Sequence, residues 1–165
     1  MKKFLSNLFI KEKISSKYKS FEVLREKTKV AEIFKAITTF NSDSEIRYVG
    51  GCVRKILNNE KFDDIDFATN LKPPEIKEAL QKKNIKFFET GITHGTITAR
   101  IENINYEITS LRKDVKTDGR HAIIEFSKDW KEDSSRRDFS INSIYSDIEG
   151  NLFDPNDGVK DLKEG

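Results

Sequence analysis

Apolar residues at Val30, Ile33, Phe34 and Ile37 fall at i, i+3, i+4 and i+7, which predicts one face of a helix ending near Phe40. Asn41-Ser42-Asp43-Ser44 then reads as a loop. Ile46 to Val49 is a short apolar strand running into Gly50-Gly51, and Cys52 to Leu57 reads as a helix opening on those glycines. Ile65 to Thr69 alternates with acids and is the next strand. Pro73 and Pro74 sit where a helix starts, with Ile76, Ala79 and Leu80 as its apolar face. Three β-prone runs follow, Ile85–Glu89, Thr96–Ile101 and Tyr106–Leu111, the last two joined by a turn at Glu102-Asn103-Ile104-Asn105. Arg112 to Ser127 is polar and charged around Asp118-Gly119 and reads as a mobile loop. Trp130 to Asn142 has helical character in its second half. Ile144–Asp147 and Leu152–Asp154, separated by Glu149-Gly150-Asn151, predict a terminal hairpin. The order of elements predicts an α/β (α+β) domain, a mixed sheet flanked by helices.

Charge changes this picture only when the chain is divided. Over 165 residues, 30 Lys and Arg face 28 Asp and Glu, a net of +2. Residues 1–29 hold 9 basic and 3 acidic side chains, while residues 30–165 hold 21 and 25. A basic lead-in (1–29) precedes an acidic domain (30–165). A basic arm can mark a nucleic-acid contact, whereas an acidic body needs another explanation if its ligand is an anion. The single Cys52 excludes an intrachain disulfide and favours a reducing interior, so a cytoplasmic location is expected. No uncharged run approaches the ~18 residues of a membrane span. Phe4 to Ile10 contains Ser6 and Asn7, ends at Lys11 and has no small-residue cleavage site behind it, which favours a basic amphipathic or disordered lead-in over a signal peptide. No repeat and no low-complexity tract is present.

Three groups of residues can do chemistry. In Asp63-Asp64-Ile65-Asp66, strand alternation sends Asp64 and Asp66 to one face and Ile65 and Phe67 into the core. Two carboxylates ~7 Å apart along a strand can converge on a divalent cation such as Mg²⁺. The same spacing also describes two solvated acids, and Asp63 reads only as a solvated one. Gly50-Gly51 at a strand-to-helix junction can let backbone amides approach an anion, with Arg54 within reach of a phosphate oxygen; an ordinary tight turn is the other reading. In Arg136-Arg137-Asp138-Phe139-Ser140-Ile141-Asn142, Phe139 and Ile141 read as core. That leaves Arg137, Asp138 and Asn142 for a ligand, unless Asp138 merely opens a helix. Glu107 stands in an alternating strand, as a solvent-facing acid or a third carboxylate. His94 reads as a turn residue rather than a general base, Cys52 as a small buried thiol, and Trp130 as core or a loop anchor.

Taken together, YVGGCVRKILNNEKFDDIDFATNLKPPEI resembles the head-domain signature of class II tRNA nucleotidyltransferases (CCA-adding enzymes) and bacterial poly(A) polymerases. In that signature a GG-x-VR turn is followed, ten residues after the Arg, by D-x-D-x-AT. THGT, YEITSLRKD, TDGRHA, DW-x-x-D, RRDFSIN and DPNDGVKDL follow in the family's order, from about Ile46 to Gly165. The resemblance implies a polymerase-β-like nucleotidyltransferase head. Position by position, it implies that Asp64 and Asp66 are the catalytic metal-binding pair. Gly51 and Arg54 would contact the nucleotide's phosphates, with Gly50 in the same turn. Arg137 would hold the nucleotide, with Asp138 near the ribose. Glu107 or, in competition, Asp138 would be the third carboxylate, and Arg112 to Arg120 a flexible loop for primer handling or specificity.

Some positions depart from the family. Lys55 stands where an Asp is frequent, Ser140 and Ser143 replace a common Thr and Ala, and Asp157 stands where a Gly is usual. The family continues into neck, body and tail domains, which are not expected within these residues. The implied function is template-independent transfer from CTP or ATP to an RNA 3′ end, with Mg²⁺ as cofactor and tRNA 3′-CCA addition as the leading form. A poly(A) polymerase head is the runner-up. The third reading is a truncated, non-catalytic remnant or a subunit that needs a separate chain supplying the neck and tRNA-binding parts.

Overall fold

A computed structural model describes residues 19–115 and 123–165. The lead-in up to residue 18, and with it the question of a basic arm, lies outside the described residues, as does the Asp118-Gly119 centre of the expected loop. Helix α1 occupies residues 19–27 of the described chain. The remaining helices are α2 (Val30–Thr38), α3 (Gly51–Leu57), α4 (Pro73–Lys82), α5 (Trp130–Ser135) and α6 (Gly158–Glu164). The strands are β1 (Ile46–Val49), β2 (Asp66–Thr69), β3 (Lys86–Gly91), β4 (Thr96–Ile101), β5 (Ile104–Ser110), β6 (Arg112–Val115), β7 (Ile123–Phe126), β8 (Tyr145–Ser146) and β9 (Leu152–Phe153). Short 3₁₀ turns occupy Ile92–His94 and Ser140–Asn142.

The main sheet has seven strands in the order β3-β4-β5-β2-β1-β8-β9. Only the β2–β5 pair is parallel, so the sheet is mixed, as the element order predicts. Alternation along the strands gives its two faces opposite characters. One face carries Tyr48, Phe67, Tyr106, Ile108, Ile97 and Ala99, all buried under α2, α3 and α4. Phe34 of α2 meets the rings of Tyr48 and Phe67 edge-on at 5.0 and 5.6 Å, which fixes the helix against the sheet. α4 starts where Pro73 sets the backbone, and the Glu75 carboxylate accepts from the Lys72 amide at 2.8 Å.

The other face is apolar only at one end. There Val49, Ala68, Leu111, Trp130 and Tyr145 form a second, smaller cluster beneath α5. The rest of that face carries Asp66, Glu107, Thr98 and Arg100, which line a cavity.

Four expectations are corrected. Arg112 to Ser127 is not a loop throughout, because β6 and β7 pair antiparallel from Arg112↔Phe126 to Val115↔Ile123. β6 (Arg112-Lys113-Asp114-Val115) is charged and carries little apolar pattern to read; the ladder to the more apolar β7 (Ile123-Ile124-Glu125-Phe126) and a 3.3 Å Lys113–Glu125 ion pair support it. The helical part of 130–142 is its first half, not its second. Asp129 caps α5 by accepting from the Lys131 amide at 2.7 Å, and Phe139 is extended. Phe139 is 64% exposed rather than core. The β4–β5 turn is tighter than expected, with Glu102 and Asn103 both at positive φ and Ile104 already in the strand. Helix α6 is an addition: both Asp154 carboxylate oxygens accept from its first amides, Gly158 at 2.8 Å and Val159 at 2.9 Å.

Candidate active site

β2 begins at Asp66, and the alternation that buries Phe67 in the aromatic core turns Asp66 to the open face. Buried Ile65 separates it from exposed Asp64, so both acids line the same cavity. β5 supplies the third acid: Glu107 is the register partner of Asp66 across the parallel pair and of Thr98 on the other side. None of the three acids forms a salt bridge among the described residues. Burial, then the charges of Glu107 and Asp64, push the Asp66 carboxyl up to about 6, with Arg137 opposing.

Asp66 and Glu107 stand where two cavities meet. The first, of about 530 Å³, is lined by Asp64, Asp66, Glu107, Thr98, Arg100 and Asn105 among others. The second, of about 250 Å³, adds to the same two acids Gly50, His94 and three arginines, Arg112, Arg136 and Arg137. Acids and guanidinium groups therefore face each other across one site.

The arginines are organised by Asp133, whose side chain is 1% exposed. Its Oδ1 accepts from Arg136 Nε at 2.9 Å and from the Arg112 amide at 3.2 Å. Its Oδ2 accepts from the Tyr145 hydroxyl at 2.7 Å and from Arg137 Nη2 at 3.1 Å. Burial acts against ionisation, but Arg137 and Arg136, with the Tyr145 and Arg112 hydrogen bonds, overcome it and hold the Asp133 carboxyl below the usual range. Residue reading singled out neither Asp133 nor Arg112 as a site residue. The available signal was spacing: Asp133, Arg136 and Arg137 are at i, i+3 and i+4, where side chains meet on a helical turn.

The other expected site residues divide between this site and its margins. Gly50 lines the arginine cavity and makes the β1–α3 turn at φ +74° and ψ −138°, a backbone open essentially to glycine. Gly51 is the first residue of α3. Arg54 lines neither cavity; its Nη1 donates to Asn142 Oδ1 at 2.6 Å, tying α3 to the 140–142 turn. Asp138 is exposed and lines neither cavity. His94 ends a 3₁₀ turn and its carbonyl accepts from Arg112 Nη1. Cys52 is buried, its thiol pushed up to about 11 chiefly by desolvation, which makes it a core residue rather than a nucleophile. Trp130 is core, edge-on to Tyr145 at 5.3 Å.

The donor chemistry fits a hard divalent cation: carboxylate oxygens without a cationic partner, one of them reluctant to ionise beside its neighbours. No group of three or more His, Cys, Asp or Glu among the described residues is arranged to hold a metal by itself. A cation here would rest on Asp64 and Asp66 and on oxygens brought by water or substrate.

Carboxylates on the open face of a mixed sheet, beside a cleft of arginines, are the two halves of a phosphate-chemistry site. Residues 46–165 match the poly A polymerase head domain, and the chain belongs to that family. It is 51% identical over 120 residues to human CCA tRNA nucleotidyltransferase 1, mitochondrial, covering 72% of this chain and 28% of the relative. It is 39% identical over 122 residues to the CCA-adding enzyme of Lactobacillus johnsonii, covering 73% and 30%. Its fold is similar to that of the Bacillus stearothermophilus CCA-adding enzyme in complex with CTP, with a TM-score of 0.67 and 27% identity over 79% of this chain and 30% of that one. A tRNA nucleotidyltransferase complexed with a primer tRNA and an incoming ATP analog gives a TM-score of 0.57 and 27% identity, over 74% and 34%. The chain thus spans under a third of the length of these curated relatives. No helix among the described residues is long and apolar enough to cross a membrane.

Proposed function

We propose that this chain is the catalytic head of a template-independent RNA nucleotidyltransferase, and that its reaction is tRNA 3′-CCA addition from CTP and ATP. The observation that carries this reading is the register pair Asp66–Glu107, with Asp64 beside it, at the junction of an acidic and an arginine-lined cavity. The names of the relatives support the choice of CCA addition.

In this reading an RNA 3′-hydroxyl oxygen bonds to the α-phosphorus of the nucleotide as the bond to pyrophosphate breaks. Asp64 and Asp66 would hold magnesium, which would supply positive charge against the triphosphate. Glu107 is the third carboxylate in preference to Asp138, since it is in register with Asp66 and shares both of its cavities. Arg137, held by Asp133, faces the nucleotide. Gly50 makes the positive-φ turn at the cleft wall, while Arg54 and Asn142 tie α3 to the 140–142 turn. The neck and tRNA-binding functions belong to further polypeptide, in the same or a separate chain. The single buried Cys52 supports a reducing, cytoplasm-like compartment, although the human relative is mitochondrial by name.

The test is incubation of the chain, with and without a separate neck-bearing chain, with Mg²⁺, labelled CTP or ATP, and either tRNA lacking CCA or oligo(A). CTP incorporation into the tRNA is expected, and its loss in Asp64→Ala. Extension of oligo(A) by ATP alone would instead assign a poly(A) polymerase head. Weak nucleotide binding with no extension under either condition would mark a non-catalytic remnant.

A further inference from the structure

Three arginines line the smaller cavity, and one of them has a donor with nowhere to go. Arg112 Nε is buried and makes no hydrogen bond among the described residues. Elsewhere in the residue, Nη1 donates to the His94 carbonyl and the backbone amide donates to Asp133 Oδ1 at 3.2 Å. The same carboxylate takes Arg136 on Oδ1 and Arg137 on Oδ2. A buried guanidinium donor left unpaired is costly unless a ligand pairs it, and a fork of donors fixed beside two further guanidinium groups matches the tetrahedral oxygens of a polyphosphate.

Resting on the functional reading above, we propose that Arg112 binds the departing, pyrophosphate end of the nucleotide. It does so as the third member of an anion site that Asp133 assembles from Arg112, Arg136 and Arg137. Asp133, Asp66 and Glu107 balance the three arginines in charge, so the arginine side of the cavity is free to attract an anion once a divalent cation rests on the acids. Burial, then the charge of Arg136, lower the proton affinity of Arg112, with Asp114 and Asp133 opposing and Arg137 adding to the shift. The cavity also contains Asp66 and Glu107, so an anion held by the arginines lies directly beside the carboxylates that face the reacting phosphorus. Arg112 opens β6 as well, the strand that leads to residues 116–122.

The experiment is calorimetric titration of the whole chain with inorganic pyrophosphate, with and without Mg²⁺, and in parallel with cytidine monophosphate. Arg112→Ala is expected to bind pyrophosphate about tenfold more weakly, the scale of one lost charge-assisted hydrogen bond, with cytidine monophosphate unaffected. Arg112→Lys preserves a charge but not the Nε donor, guards against a folding defect, and should remain severalfold weaker than the parent. The assignment is overturned if the parent chain does not bind pyrophosphate, if Arg112→Ala binds it unchanged, or if Arg112→Lys restores full affinity. The two readings fail separately. Activity in Asp64→Ala would sink the functional reading. An inactive Asp64→Ala beside an Arg112→Ala that binds pyrophosphate normally would sink only the arginine site.

Discussion

Asp66 and Glu107 are direct register partners across the only parallel pair in the main sheet, two carboxylates side by side on an open face. Their proximity, added to burial, raises Asp66 to about 6 from an ordinary 3.8. A raised carboxyl pKa means that the folded state binds more protons than the unfolded one. This group's contribution therefore favours folding below about pH 4, is lost as pH rises towards about 6, and stays lost above. Asp66→Asn should melt higher than the parent at pH 7.5 without divalent cations and at the same temperature near pH 4. It should also gain less from added Mg²⁺. A lower melting temperature at pH 7.5 would contradict this account of the site.

Asp133 carries the opposite sign. Its carboxyl is held low, so its contribution is present above about pH 4 and fades as the pH falls further. Asp133→Asn removes the charge that two guanidinium groups share and replaces one of the two acceptor oxygens with a donor, and should cost about 3 kcal/mol in urea unfolding at pH 7. The deficit should shrink at acid pH. An equal deficit at pH 3 and pH 7 would show that packing, not charge, is what the residue provides.

The choice of third carboxylate can be read from kinetics in the complete enzyme. Glu107→Gln should lower kcat roughly 100-fold with little change in the nucleotide KM, since it acts on the reacting centre. Asp138→Asn, at an exposed position outside both cavities, should act mainly through KM. The reverse pattern would transfer the role to Asp138.

The turn into α6 yields a pair of stability predictions. A Cβ on Gly158 would lie 2.2 Å from the Ser140 carbonyl oxygen, so the helix and the 140–142 turn cannot both keep their places. Gly158→Ala should cost about 2 kcal/mol, the scale of an overpacked contact. Its neighbour Asp157 is at φ +54°, in the left-handed region, at the position where the family usually has glycine. Asp157→Gly should stabilise by about 0.5 kcal/mol, visible as a higher urea midpoint at constant slope.

Local signals carried the first half of the domain. The i, i+3, i+4, i+7 face of α2, the strand running into Gly50-Gly51 and the Pro73-Pro74 helix start all stand where periodicity and backbone chemistry put them. The placement of Asp64 and Asp66 on one face is equally local, because alternation about Ile65 leaves no other arrangement once Ile65 and Phe67 are buried. The same reasoning failed from Arg112 to Asn142. Charged β6 is supported by its partner's ladder, α5 is set by the cap at Asp129, and Phe139 interrupts a helical pattern in an extended conformation.

The sequence by itself therefore determined the same-face pair of acids, the glycine turn and the family, because each depends on residues a few positions apart. Only the tertiary structure decided that Glu107, rather than Asp138, meets Asp66, and that Asp133 gathers three arginines opposite them. The register of a parallel strand pair and the satisfaction of a buried carboxylate are settled by long-range hydrogen bonding and burial. Neither leaves a periodic trace along the chain.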